Sequence, residues 1–321
     1  MSKKSQTVLI GTTLNPAGDR LVASAIRLAQ SMGARIHLVH AYELPRVEWP
    51  SSGAPVGDVP VGALLDGERR GLMERMEQQI ARLGLRREEI AETTLDLGTP
   101  HRVLVETARR IDADLVVLGA VESGEALSRL LGSTADRVVR KADRPVLLVR
   151  EELAVPLQRV LLPVGLSGRT AEALEEGLEL LGGMEGGRDA ELEALFVSAE
   201  VDGRPARGQS VPDWVRQTAT VRLDGFLAGA LAEARSATEW QIGSRVEFGF
   251  IDREILNRIE RWQPDLVVLR THDREEVEPF LLGRVTMALM RQEGASVLVI
   301  PPVAARVRMI APRAMAVSVA A

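Results

Sequence analysis

Asp114-Leu-Val-Val-Leu118 returns letter for letter as Asp265-Leu-Val-Val-Leu269, 151 residues further along the chain. The same offset carries Gly98 onto Gly249, Arg102 onto Arg253 and Leu130-Leu131-Gly132 onto Leu281-Leu282-Gly283. It also carries Val146-Leu147-Leu148-Val149 onto Val297-Leu298-Val299-Ile300, and with one extra residue Val8-Leu9-Ile10 maps onto Val160-Leu161-Leu162. Matches in one order at one offset read as two copies of a single domain. The expected division is a first domain over 1–151, a second over 157–302, and a basic and apolar tail over 303–321.

Within each copy, short apolar β-branched runs alternate with amphipathic stretches, which is the pattern of strand–helix–strand units in a parallel sheet. In the first copy strands are expected near 7–12, 35–41, 91–97, 114–118 and 146–150. Asn15-Pro16 opens the first helix and Gly33 closes it. Further helices are expected near 64–84, 101–111 and 134–141. The strands are continuous apolar runs, as required when helices cover both faces of the sheet. Ligands of such sheets sit beyond the carboxyl ends of the strands, where strand order reverses, which places a first-copy site near Thr12-Thr13 and Gly119. Two proline- and glycine-bearing stretches, Pro45 to Gly62 and Val201 to Pro212, read as loops on the same rim.

The 321 residues are 45% hydrophobic and 26% charged, a globular composition. Forty basic against 45 acidic residues give a net charge of −5, so no general positive field attracts nucleic acid. Cysteine is absent, which removes disulfides, thiolate nucleophiles and sulfur-ligated metals. Lys3, Lys4 and Lys141 are the only lysines and none stands in a Gly-Lys-Ser/Thr triplet, so a Walker phosphate loop is excluded. With no signal-peptide core after Met1 and no apolar run of about 20 residues, the expected location is cytoplasmic, with no transmembrane segment.

The stretches Asp114-Leu-Val-Val-Leu-Gly119, Leu130-Leu-Gly-Ser133 and Arg144-Pro-Val-Leu-Leu-Val149 resemble the carboxyl half of the universal stress protein family. The resemblance extends over both copies to about residue 302. It implies an α/β fold of the adenine nucleotide alpha hydrolase-like kind, with a five-stranded parallel sheet in the order 3-2-1-4-5 in each copy. It also implies pairing of the copies through their last strands, here within one chain. That pairing would cover apolar edges otherwise left open. A homodimer of chains stays undecided.

Nucleotide-binding members of the family carry a glycine after the fourth strand, a second three residues on, then nine residues before Gly-Ser or Gly-Thr. Glycines admit phosphates close to the backbone, and the Gly-Ser turn offers N–H groups at a helix start. In the first copy Gly119 and Gly132-Ser133 keep this spacing, while Glu122 replaces the middle glycine with a carboxylate that opposes phosphate. Gly124, two residues later, leaves room for a shifted turn. The family's aspartate after the first strand is Thr13 here. The second copy departs further: Arg270, Asp273 and Gly283-Arg284 take the motif positions, and Gly165 takes that of the aspartate.

The resemblance thus implies at most one ATP or other adenine-nucleotide site, in the first copy. Gly119, Gly132, Ser133 and Thr134 would hold phosphates, and Thr12, Thr13, Val39 and His40 would border the base. His37 and His40 are three apart on a strand, face opposite sides and cannot share a metal; no metal site is expected. Ser133 reads as a helix-capping residue rather than a nucleophile, and no catalytic constellation assembles, so the protein is not expected to be an enzyme. The expected role is a regulatory or binding module of a stress response. The competing reading is an interaction protein that binds no nucleotide and offers its paired domains to a protein partner. The tail, with Arg306, Arg308 and Arg313 and no acid, reads either as a docking segment or as a plain terminus.

Overall fold

The computed structural model describes residues 6–43, 61–120, 133–150, 152–198, 211–233, 240–270, 289 and 295–302. Among them, the first half runs β1 (Thr7–Gly11), α1 (Asp19–Ser31), β2 (Arg35–Tyr42), α2 (Val61–Arg82), β3 (Glu92–Leu97), α3 (Pro100–Arg110), β4 (Leu115–Gly119), α4 (Ser133–Lys141) and β5 (Val146–Val149). The second runs β6 (Arg159–Pro163), α5 (Gly168–Leu181), β7 (Glu191–Ser198), α6 (Asp213–Glu233), β8 (Ile242–Phe248), α7 (Ile251–Trp262), β9 (Leu266–Arg270) and β10 (Ser296–Ile300). The tail and most of the two loop stretches lie outside the described residues.

All ten strands form one sheet in the order β3-β2-β1-β4-β5-β10-β9-β6-β7-β8. Within each half the strands are parallel, and the order of the first half is 3-2-1-4-5. The second half repeats it in mirror sequence. The halves meet where β5 and β10 pair antiparallel, Val146 opposite Val299 and Leu148 opposite Val297. Val146, Leu147, Leu148 and Val149 are all buried. As two-sided apolar edges they would each forfeit about 2 kcal/mol if left to solvent.

Strand residues alternate between two apolar layers. Val8, Ile10, Ile36 and Leu38 pack with α1 and α2, in one cluster with Leu174 of α5 and Leu223 of α6. Leu9, Val39, Val116 and Leu148 face the other way, onto α3, α4 and α7. Each layer runs across the β5–β10 seam. The connection between halves is packed as well: Leu153 and Leu157 are buried, and Glu152 meets Arg27 of α1 at 2.6 Å.

The repeated aspartate has a structural task. Asp114 Oδ2 accepts the Thr7 N–H at 2.8 Å. Asp265 Oδ2 accepts those of Gln158 and Arg159 at 2.7 and 3.0 Å. Each carboxylate therefore ties the start of one strand to the start of its neighbour. Asn15 Oδ1 accepts the Gly18 N–H at 2.9 Å and caps a 3-10 turn that leads into α1. The second helix begins at Val61, about three residues before its expected start, because Gly62 in its first turn masks the helical pattern.

Candidate functional site

At the carboxyl rim of the first half, β1 lies between β2 and β4. Gly11 is opposite Val39, and Gly119 at the end of β4 is opposite Val149. The ladder continues one step beyond β1, where the Thr12 N–H donates to the Val39 carbonyl at 2.9 Å. A Cβ on Gly11 would stand 2.5 Å from Leu118 Cδ2 and 3.1 Å from Leu104 Cδ2, so the glycine leaves room for these two leucine side chains below the rim.

His40 extends β2 on the face toward α1 and α2, while His37, fully packed, faces α3 and bonds Thr94 Oγ1 at 2.7 Å. The two histidines therefore lie on opposite faces, as their spacing requires. His40 Nδ1 stands 2.8 Å from the Thr12 carbonyl oxygen. A carbonyl only accepts, so Nδ1 carries the proton and donates. Burial, reinforced by the cationic Arg75 and partly offset by the Thr12 carbonyl, holds the His40 pKa below the ordinary histidine value and favours the neutral ring.

Thr12 is buried and its hydroxyl is committed. It donates to Gln79 Oε1 at 2.8 Å and accepts the Leu14 N–H at 3.1 Å. Gln79, fully buried on α2, donates through Nε2 to Asp19 Oδ1 at 2.8 Å. Asp19 in turn meets Arg82 Nε at 2.8 Å. The Arg82 hydrogen bond, against opposing burial, holds the Asp19 carboxyl below its usual value. A polar chain thus runs from His40 through Thr12 and Gln79 to the outer ends of α1 and α2.

The sequence reading did not find Gln79, Asp19 or Arg82. One signal was present: Leu72, Met76, Gln79 and Ile80 share the inner stripe of α2, where a glutamine stands among apolar residues.

Thr13, beside Thr12, is exposed. A Cβ on Gly18 would lie 2.8 Å from its hydroxyl oxygen, so the glycine leaves that hydroxyl room. Val39 is buried with its carbonyl in the ladder and offers the rim no polar side chain. The structure therefore joins Thr12, Val39 and His40 by hydrogen bonds, with Thr13 next in chain. Gly119 closes β4, and Ser133 and Thr134 open α4. Gly132, Glu122 and Gly124 lie outside the described residues, so of the phosphate side only Gly119, Ser133 and Thr134 are placed. Among the described residues, no three His, Asp or Glu side chains gather as a metal site.

At the corresponding rim of the second half, apolar residues stand where Thr12, His40 and Asp19 stand in the first. Val164 takes the place of Thr12, its N–H donating to the Leu195 carbonyl at 2.9 Å. One residue further on, Phe196 takes the place of His40, and Ala171 that of Asp19. Arg270 ends β9 where Gly119 ends β4.

Both halves match known proteins. The family model described as the universal stress protein family matches residues 4–150 and again 156–301. A universal stress protein of Thermus aquaticus is 32% identical over 149 residues, 45% of this chain and 98% of its own length. One of Mycolicibacterium smegmatis is 25% identical over 313 residues, 92% of this chain and 97% of the relative. The crystal structure of a universal stress protein from Archaeoglobus fulgidus, 18% identical, shares the fold with a TM-score of 0.65 over 93% of this chain and 99% of that one. Two successive matches of one family model, on a sheet built twice in one strand order, show that the chain belongs to the universal stress protein family as a tandem member.

Proposed function

We propose that this tandem universal stress protein is a non-catalytic, cytoplasmic binding module of a stress response. Its domains divide at 1–151 and 157–302, and the first takes one adenine nucleotide such as ATP at its carboxyl rim. The observation that carries this reading is the asymmetry of the two rims. Thr13, His40 and Gly119 in the first are replaced by Gly165, Phe196 and Arg270 in the second. Phosphates would meet Gly119, Gly132, Ser133 and Thr134, where backbone N–H groups at the start of α4 favour anions. The base would border Thr12, Thr13, Val39 and His40.

Calorimetry of ATP binding to the wild type and to Glu122→Gly tests this. Removing the carboxylate should tighten binding by about tenfold, the scale of one charge repulsion near a surface. Equal affinities would overturn the role given to Glu122. Absence of binding by both proteins would overturn the nucleotide reading.

One observation favours the second reading, an interaction protein without nucleotide. Helix α6 turns Trp214, 70% exposed, and Val221, 63% exposed, outward. The outer side of α2, its counterpart, carries Glu74, Arg75, Glu77 and Gln78. A partner contacting α6 would be weakened by Trp214→Ala, whereas nucleotide binding would not.

A further inference from the structure

The side of α6 that faces away from the core is uncharged. Ala219, Leu223, Leu227 and Ala230 form its inner side and are buried. Directly opposite run Trp214, Thr218, Val221, Gly225, Ala228 and Ala232, all exposed. A surface helix ordinarily turns a polar side to water, as α2 does. The outer side of α6 instead has the composition of an interface core, where charge is depleted. Its six residues are spaced by alternating steps of four and three, the 3.5-residue period by which one helix seats against another. Side-chain size falls along this stripe. Trp214, Thr218 and Val221 fill its amino-terminal half, and Gly225, Ala228 and Ala232 fill the other.

We propose that this face pairs with the same face of a second copy of the chain, the two α6 helices running antiparallel. Reversal sets the larger residues of one helix against the small ones of the other. Trp214 meets the partner's Ala232, Thr218 the partner's Ala228 and Val221 the partner's Gly225. Parallel pairing would stack Trp214 on itself and leave glycine and alanine facing their own kind across a void. The reversed arrangement is two-fold and closes as a dimer. It names the occupant of the α6 surface noted above, and it does not depend on nucleotide at the first rim. The 21 residues of α6 span about 31 Å. A contact of one helix pair lies near the low end of specific interfaces, about 1,200 Å². The expected dimer is therefore reversible, with a Kd of about 10 μM.

Sedimentation of the full chain at concentrations about tenfold below and about tenfold above this Kd tests the pairing. The wild type should pass from monomer to dimer between them. Val221→Glu and Ala228→Glu should each stay a monomer at both; the two positions are exposed, and circular dichroism verifies that the variants fold. Because the chain has no cysteine, introduced thiols report the orientation without background. Under mild oxidation a mixture of Thr218→Cys and Ala228→Cys should crosslink into dimers, and neither variant alone should do so. A wild type that stays a monomer overturns the proposal. Dimerisation on deletion of 303–321 would then identify the terminal segment as the occupant, and its failure to appear would identify a different protein. A dimer that survives either glutamate places the contact elsewhere and also overturns it. Crosslinking of Thr218→Cys with itself overturns the reversed orientation. None of these outcomes bears on whether the first rim binds ATP.

Discussion

Thr12 and Gln79 meet inside the first half, the threonine hydroxyl donating to the glutamine Oε1 at 2.8 Å across 67 residues of sequence. The contact joins the end of β1 to α2. Because Gln79 is fully buried and also donates to Asp19, deleting its amide strands two partners at once.

Gln79→Ala should therefore lower stability by about 2–3 kcal/mol, combining a cavity with an unsatisfied hydroxyl. Urea denaturation followed by circular dichroism measures it. A loss below about 0.5 kcal/mol would show that the polar chain contributes little to folding.

Asp114 and Asp265 hold equivalent places, but the second accepts two backbone N–H groups where the first accepts one. Each substitution to alanine should cost about 1–2 kcal/mol, with Asp265→Ala the larger loss. The two denaturation midpoints compare them, and a larger loss in Asp114→Ala would contradict the bond count.

His37 gives stability a pH dependence of defined sign. Burial lowers its folded pKa, against the raising effect of Glu92, so the unfolded chain binds a proton more readily than the fold does. This contribution is complete above the unfolded value, about pH 6.5, and is lost as pH falls toward the folded one. His37→Gln should flatten the decline of the urea midpoint between about pH 7 and pH 5. An unchanged slope would assign that decline to other groups.

Glu193 on β7 receives Arg258 through two bonds of 2.6 Å and Arg245 at 3.1 Å. Arg258 and Glu193 are both largely enclosed, so Arg258→Met leaves a buried carboxylate with one partner fewer. It should cost about 3 kcal/mol, and adding Glu193→Leu should recover part of the loss. A double variant less stable than Arg258→Met would refute the expectation.

The sheet was legible in the sequence because its signals are local. Uninterrupted apolar runs such as Val146 to Val149 mark two-sided burial, and the duplicated aspartate motif sets the period. Gly119 and Ser133 were legible only through family spacing. The polar chain of Gln79, Asp19 and Arg82 was not. On a helix, a glutamine or an arginine usually belongs to the wet side, and its inward role appears only when α1 and α2 are brought together. Glu193 is similar: one carboxylate in Glu-Leu-Glu-Ala-Leu-Phe reads as a surface position until Arg258, 65 residues later, lies against it.

The antiparallel seam between β5 and β10 gives each half a permanent, covalently tethered neighbour. In a pair assembled from identical chains, every substitution occurs twice, and one that spoils a ligand rim spoils both. Here Phe196 and Arg270 could arise in one rim while His40 and Gly119 remained in the other, with the shared sheet undivided. The antiparallel pairing turns the carboxyl ends of the two sets of strands in opposite directions, so divergence at one rim imposes no steric demand on the other. Fusion thus turns a symmetric pair into something closer to a heterodimer, free to specialise one half at a time.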